Sequence, residues 1–454
     1  MTRARTWSLV LAALCFALAW SAQAEPRRLS LERAVSLARQ NPLARAALER
    51  ARAASAQVDE AKGARFPRAT LTSFIGPSPE IHCVAGTNCS QTEPHEVRLR
   101  FEGVYGGVTA ELLQPLYTFG KVQSAINAAG GNLEMNQVLA TGAADDMGLE
   151  AARAYLGIDL ARELGEMLDD GREKLDAATK TLAERLERGE SDVTVQDRLR
   201  LETFMAEILA RQSEARESEA TARFGLQALV GDPDADTLGE PLEPLGLNLE
   251  QAKTYVDRAA QGRTEVRAAV SGVTALEALR NMERARLLPD LGIIAGGSWT
   301  RAGGVDDPPS AFANDPFNHT TAYAALVLRW TIEPAAQIAR LARANAELER
   351  GRDLLQAARR AGDFAVLQAY TRATEAHHRL DAATAGEKSA RGWVASVMQA
   401  DAIGTVTARE MADAYLAYFT IHSRLLQSTY EFDLALLTLR RAIGESLILP
   451  PKPH

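Results

Sequence analysis

The sequence predicts a mainly α-helical chain with a small β part, built from a duplicated strand–helix unit. The first observation behind this prediction is a change of period at residues 111–121. Before this segment, Val97, Leu99 and Phe101 alternate with charged residues, which is the period of a strand with one apolar face. After it, apolar residues recur every three or four positions, which indicates a helix with one apolar stripe.

The second observation is that the same change of period returns at residues 326–334. The third is a repeated block of sequence. Residues 29–34 read Leu-Ser-Leu-Glu-Arg-Ala, and residues 247–252 read Leu-Asn-Leu-Glu-Gln-Ala. Internal repetition of this extent outweighs any local motif in deciding the fold. We therefore expect two copies of one unit, and not two unrelated domains.

Both copies are expected to contain the same elements in the same order. In the first copy these are a helix over 30–63, a strand over 69–76, a loop over 77–95, a strand that Pro115 ends, a long helix over 120–188 and a return helix over 194–228. In the second copy they are a helix to 287, strands over 291–299 and 323–332 around a loop over 300–320, a long helix to 403 and a last helix to 443. Each pair of long helices would form a hairpin, with turns at 189–192 and at Gly404.

Residues 1–24 have the features of a secretory signal peptide: a basic start, a short apolar core and a small-residue cleavage site. Residues 25–231 are assigned to the first repeat and 232–246 to a linker. The second repeat covers 247–444, and 445–454 form a C-terminal tail.

Composition excludes several classes of function. Two of the 51 basic residues and none of the 59 acidic residues lie in the signal, so the remainder carries a formal charge of −10, which argues against nucleic-acid binding. No nucleophile elbow, phosphate loop or zinc-binding helix motif is present, so we expect no enzyme, no cofactor and no metal centre.

The sequence also constrains how the chain could meet a membrane. After residue 24 no run of eighteen apolar residues occurs, so no spanning helix is expected. An exported chain of this kind is soluble, secreted or inserted as a β-barrel. Four strands cannot close a barrel alone, and a sheet in lipid must have no open edge, so several copies would have to combine their strands.

The chain resembles the TolC-like outer-membrane efflux proteins, the outer ducts of tripartite export systems. The resemblance depends on the opening block at 29–34, the Gln-Pro-Leu-Tyr-Thr-Phe-Gly segment at 114–120, the two glycine-containing helical tips and the duplication. It implies a homotrimer with long α-helical barrel and coiled-coil hairpins and a twelve-stranded transmembrane β-barrel. It also implies a bacterial outer-membrane location that extends into the periplasm, with loops 77–95 and 300–320 outside the cell.

The same resemblance implies partners: a periplasmic adaptor (membrane fusion protein), an inner-membrane pump of the RND or ABC type, and outer-membrane lipid, with no nucleic acid. The leading function is an efflux channel that conducts passively from a periplasmic entrance to the cell exterior. The alternatives are the outer duct of a type I protein secretion system and, with less support, a periplasmic helical adaptor without a pore. The cargo stays open among drugs, metals, solvents and polypeptides.

Residues 404–414 resemble the family's closing segment, where acidic residues line the narrow entrance. Glu410 and Asp413 fall on the matching positions and share a helix face, although an ordinary solvated face is the simpler alternative. In some relatives a Tyr and an Arg lock this entrance. Here Asp401 and Val406 occupy those positions, so we do not expect the same lock.

The two helical tips are expected to contact the adaptor. The residues assigned to these contacts are Gly189, Glu190, Ser191, Gly404, Thr405 and Val406.

Cys83 and Cys89 are the two cysteines outside the signal, and an oxidising location favours a disulfide between them over a metal site shared with His82 and His95. Tyr415, Tyr418 and Phe419 lie at helical spacing and are expected to pack between helices.

Overall fold

The protein is described here from a computed structural model, which covers residues 27–83, 95–188, 194–246, 249–305, 315, 317–401, 406 and 408–448. Its elements repeat in the predicted order. The first repeat contains β1 (Arg27–Leu29), α1 (Leu31–Ala38), α2 (Pro42–Gly63), β2 (Arg68–Cys83), β3 (His95–Tyr117), α3 (Lys121–Glu187) and α4 (Val195–Val230). After β4 (Ala235–Thr237) follow α5 (Ala252–Gly262), α6 (Thr264–Ala285), β5 (Asp290–Ala302), β6 (His319–Arg329), α7 (Pro334–Asp401) and α8 (Ala408–Ile443).

The chain divides into two compact units, and each takes segments from both repeats. Unit 1 draws on Met1–Glu49, Gln137–Arg267 and Ala357–His454, and unit 2 on Arg50–Asn136 and Ala268–Gln356. The predicted long helices are confirmed, since α3 has 67 residues and α7 has 68. In the described part of the chain, no helix is both long enough and apolar enough to cross a membrane.

Unit 2 contains a four-stranded antiparallel sheet with the order β2-β3-β5-β6. The prediction that Pro115 ends its strand is wrong. Pro115 pairs with Gly292 inside β3, which continues to Tyr117 through a register irregularity. A bulge of this kind absorbs the missing backbone donor of a proline, so the strand survives it.

The predicted loop over 77–95 is also too long. Strand β2 continues to Cys83 and pairs there with His95 of β3. Register shifts on both sides of Pro79 accommodate the prolines that had indicated a loop. In the second hairpin, β5 continues to Ala302 and β6 begins at His319, so the connection there is also shorter than predicted.

The predicted single helix over 30–63 is in fact two helices. Ser30 caps α1 by accepting from the Arg33 backbone N–H at 3.3 Å. Asn41 then caps α2 by accepting from the Leu43 N–H at 3.0 Å, and Pro42 takes the first helical position. An Asn–Pro pair favours the start of a helix. The asparagine side chain caps the first turn, and proline lacks only an N–H that would have no partner inside the helix. The second repeat breaks in the same way, at Arg263 between α5 and α6.

Unit 1 has its apolar core around the middle of the long helices α3 and α7. One cluster packs Ala34, Tyr155, Ile158 and Leu226 together with Ala235 of β4. A second cluster, on α5, α7 and α8, contains Tyr255, Val366, Ala373, Phe432, Leu436 and Ile443. The predicted linker at 232–246 therefore contains a strand, which pairs in parallel with β1.

Candidate functional site

The sheet of unit 2 has one strongly apolar face. Residues paired across antiparallel strands point to the same side, so the register assigns every strand residue to a face. On this side the large apolar side chains are 38–82% exposed. They are Leu71, Ile75, Val104, Val108, Leu112, Ile293, Trp299, Leu326 and Leu328. An exposed apolar surface of this extent is typical of a lipid or protein contact.

The opposite face of the same sheet holds most of its polar side chains, together with the apolar residues Phe74, Leu113, Ile294, Tyr323 and Val327. It carries Arg68, Thr70, Thr72, Thr109, Glu111, Ser298, Thr321 and Arg329. Ser298 and Thr321 share a hydrogen bond of 2.7 Å across β5 and β6. The polar side chains are thus concentrated on one face and the exposed apolar side chains on the other, as in a sheet that separates lipid from water.

The second candidate region lies in unit 1, where α4 begins and α8 begins. Thr194 and Asp197 form a capping box at the start of α4, and the Thr194 hydroxyl holds the pKa of the Asp197 carboxyl below its usual value. Three residues after Asp197, Arg200 Nη2 donates to Asp413 Oδ1 of α8 at 2.6 Å. The Arg200 guanidinium also lies 5.6 Å from the centre of the Phe204 ring. Helices α4 and α8 are therefore joined by a charged hydrogen bond near their first turns.

An apolar cavity of about 300 Å³ lies beside this ion pair. Its wall includes Leu175 and Leu182 of α3, Leu201 of α4, and Met411 and Tyr415 of α8. Phe419 packs on α3 at Gly171, where a Cβ would approach the ring to 3.2 Å. Of the predicted aromatic run, Phe419 therefore packs between helices.

The structure places the predicted entrance residues on one helix. Glu410 is exposed in the first turn of α8, and Asp413 is half-buried one turn later. Val406 is half-buried, and it lines the apolar cavity together with Asp401. The tip residues Gly189, Glu190, Ser191, Gly404 and Thr405 lie outside the described residues. So does Cys89, and of Cys83 only the strand backbone is described, so the disulfide stays a prediction.

Sequence reasoning missed two arginines in unit 1. Arg200 carried no signal of its own, because its partner Asp413 is 213 residues away. Arg441 is buried and donates to Asp146 at 2.7 Å, to Thr264 at 3.3 Å and to Glu265 at 3.3 Å. Its position among the apolar residues of α8 was the one available hint, since a charge on a buried face requires partners. Among the described residues, no group of His, Cys, Asp or Glu is arranged to hold a metal ion.

The chain is similar to known proteins both in sequence and in fold. Residues 255–445 match the model of a family described as outer membrane efflux protein. No curated protein matches the chain. Several solved structures do. CusC is 16% identical, with 92% of this chain and 93% of CusC covered and a TM-score of 0.71. The outer-membrane channel OprN is 17% identical, with 92% and 90% covered and a TM-score of 0.74. The outer membrane protein VceC from Vibrio cholerae is 18% identical, with 92% and 97% covered and a TM-score of 0.70.

At these identities the likeness establishes the fold, which covers nearly the whole chain. The repeated helix–strand architecture is the fold that these solved outer-membrane proteins share with this chain. The match to the outer membrane efflux protein model covers residues 255–445, which is less than half of the chain.

Proposed function

We propose that this protein is the outer-membrane channel of a tripartite efflux system, which conducts substrates passively from the periplasm to the cell exterior. The observation that carries the proposal is the two-faced sheet of unit 2. Its exposed apolar side chains suit a lipid contact, and its polar side suits a water-filled lumen. The match of residues 255–445 to the model described as outer membrane efflux protein supports the same function.

The requirements of the sheet support a homotrimer. Strands β2 and β6 are its outer strands, so each exposes one row of backbone donors and acceptors. Such edges are unstable in hydrocarbon unless they pair. Three copies would supply twelve strands and would pair β6 of one copy with β2 of the next. The polar sides of the three sheets would then surround a common lumen.

The entrance is assigned to the start of α8. Glu410 and Asp413 of three subunits would bring six carboxylates to a constriction, which raises the local concentration of cations. The Arg200–Asp413 ion pair supports a different arrangement from the Tyr and Arg lock of some relatives, because it uses other positions and joins α4 to α8. The helical tips around 189–191 and 404–406 would contact a periplasmic adaptor, and an RND- or ABC-type pump in the inner membrane would supply energy and choose the cargo.

Single-channel recording tests the proposed function. The purified full-length protein is added to a planar lipid bilayer, with protein boiled in detergent as the control. A stepwise, ohmic conductance carried by trimer-sized complexes is the expected result. A protein that stays in the soluble periplasmic fraction and adds no conductance would contradict the proposal and would favour the pore-free adaptor.

A further inference from the structure

A cavity of about 470 Å³ lies in unit 2 where β3 turns into α3, at the end of the apolar face of the sheet. We call it the junction cavity. Its wall includes Arg65, Leu116, Tyr117, Thr118, Gly120 and Gln123. It therefore combines one cation with apolar and polar groups at the border between strand and helix.

The turn beside the cavity has an unusual backbone. Phe119 adopts a φ of 50°, which a bulky side chain seldom takes, and Gly120 follows with a φ of 87°. The Phe119 ring packs edge-on against Tyr117, with 4.7 Å between the ring centres. Thr118 holds the first turn of α3 by accepting from the Val122 N–H at 3.3 Å. Strain of this kind is kept only where the surroundings hold it, and it is common at ligand contacts.

Arg65 is positioned by two glutamines. The Gln114 amide donates to the Arg65 carbonyl at 2.9 Å, and Arg65 Nη2 donates to Gln123 Oε1 at 2.5 Å. No carboxylate in the described residues lies within ion-pair distance of this guanidinium. An arginine has five N–H donors in a planar fork, so Arg65 keeps donors for an anion. An oriented guanidinium without a carboxylate partner suits a phosphate.

The apolar part of the cavity continues the apolar face of the sheet. Tyr117 pairs with Leu291, which pairs with Leu328, so Tyr117 lies on the apolar side. Leu116 and Tyr117 are 50% and 57% exposed, and Phe66 next to Arg65 is 70% exposed. Aromatic side chains in such a border position are typical of the interface between hydrocarbon and headgroups.

We propose that the junction cavity binds an anionic phospholipid of the leaflet that faces the helices. The lipid phosphate contacts the Arg65 guanidinium, and an acyl chain lies over Leu116 and Tyr117. This inference rests on the proposed function, because it requires the apolar face to be in a membrane. A free phosphate would use the same guanidinium, but it would leave the exposed apolar wall without a partner.

Native mass spectrometry of the full-length protein in neutral detergent tests the site, with phosphatidylglycerol as the added lipid. Arg65→Gln is expected to weaken binding of the first lipid per subunit about tenfold, the usual effect of losing a charged hydrogen bond. Arg65→Lys is expected to lose less lipid affinity, since lysine keeps the positive charge but lacks the planar set of N–H donors of arginine. The control is Arg216→Gln, an exposed arginine of α4, which should bind as the unmodified protein does. The same oligomeric state and the same helicity in all variants exclude misfolding as the cause.

Two further additions identify the source of the phosphate. An excess of glycerol 3-phosphate should not displace the lipid, and phosphatidylcholine with the same acyl chains should bind more weakly. Displacement by glycerol 3-phosphate, or equal binding by Arg65→Gln and Arg216→Gln, overturns the proposal. If the proposed function is wrong, the unmodified protein retains no phospholipid with any headgroup and forms no channel. If this inference alone is wrong, lipid is retained and channels form, but Arg65 has no effect.

Discussion

Arg200 Nη2 lies 2.6 Å from Asp413 Oδ1, so the return helix of the first repeat is tied to the last helix of the second. Both side chains are about one-third exposed, at 36% and 37%. A pair this accessible contributes at most about 1 kcal/mol to stability. Its main effect is therefore on charge, because Arg200 balances the Asp413 carboxylate at the proposed entrance.

Changing either member of this pair should shift ion selectivity, in opposite directions. Arg200→Gln leaves Asp413 without its counter-charge, so the ratio of cation to anion permeability should rise. Asp413→Asn leaves Arg200 instead, so the ratio should fall. The double variant should return close to the original ratio, since it removes equal and opposite charges. Reversal potentials across a bilayer under a salt gradient measure this, and shifts of the same sign in both single variants would refute the placement.

Arg441 should be the most costly single arginine to remove in unit 1. Its side chain is 10% exposed and donates to Asp146, Thr264, Glu265 and the Gly142 carbonyl. Arg441→Met leaves Asp146 without a counter-charge, whereas Glu265 keeps its ion pair with Arg263, and both carboxylates are about half exposed. Water solvates these carboxylates in part, so we expect the free energy of unfolding to fall by about 3 kcal/mol, at the low end for a broken buried pair.

Denaturant unfolding followed by helical circular dichroism measures that loss. The matched control is Arg350→Met on α7, where Arg350 and its partner Glu347 are 69% and 47% exposed. Removal of this exposed pair should cost less than about 1 kcal/mol. Similar unfolding free energies for the two variants would show that the Arg441 contacts contribute little.

Asp159 should make the protein more stable as the pH falls through 6. Burial raises the pKa of its carboxyl to about 6, although the Thr237 hydroxyl and Arg162 act against the shift. In the unfolded chain the pKa is about 3.9, so between pH 4 and 6 the folded state holds more protons. The free energy of unfolding therefore falls as the pH rises through this window, by up to about 3 kcal/mol for this one group.

Asp159→Asn should flatten that pH dependence and raise stability at pH 7. The Asn oxygen can still accept from Thr237, whose hydroxyl lies 2.5 Å from Asp159 Oδ1. Thermal unfolding midpoints at several pH values between 4 and 7 provide the measurement. Asp176→Asn, at an exposed carboxylate of α3, is the control. The Asp159 contribution is refuted if both variants keep the slope of the unmodified protein.

The architecture could be predicted because it depends on periodicity. The change from period two to period 3.6 near Tyr117, and its repetition near Trp330, identified the strands and the long helices. The strand ends could not be predicted in the same way. Proline usually ends a strand, but Pro79 and Pro115 are each accommodated by a local register shift that only the pairing partner makes visible.

The sites were less predictable than the fold because their parts are far apart in the sequence. Glu410 and Asp413 were identified through the family's closing segment, whereas Arg200 has no motif and gains its meaning from a contact across 213 residues. The junction cavity could not be predicted for the same reason, because its residues are far apart in the sequence. Arg65 follows the end of α2 and Gln123 lies in the first turn of α3, and the sheet between these helices brings the two side chains together.

The central claim is that the sheet has one side in lipid and the other in water, and strand β6 tests it most directly. In a background of Cys83→Ser and Cys89→Ser, single cysteines replace each residue from 321 to 326, and cells are treated with a membrane-impermeant maleimide. Labelling should alternate, strong at Thr321, Tyr323 and Ala325 and weak at Ala322, Ala324 and Leu326. Labelling without this period of two, or with the two sets exchanged, would contradict the account.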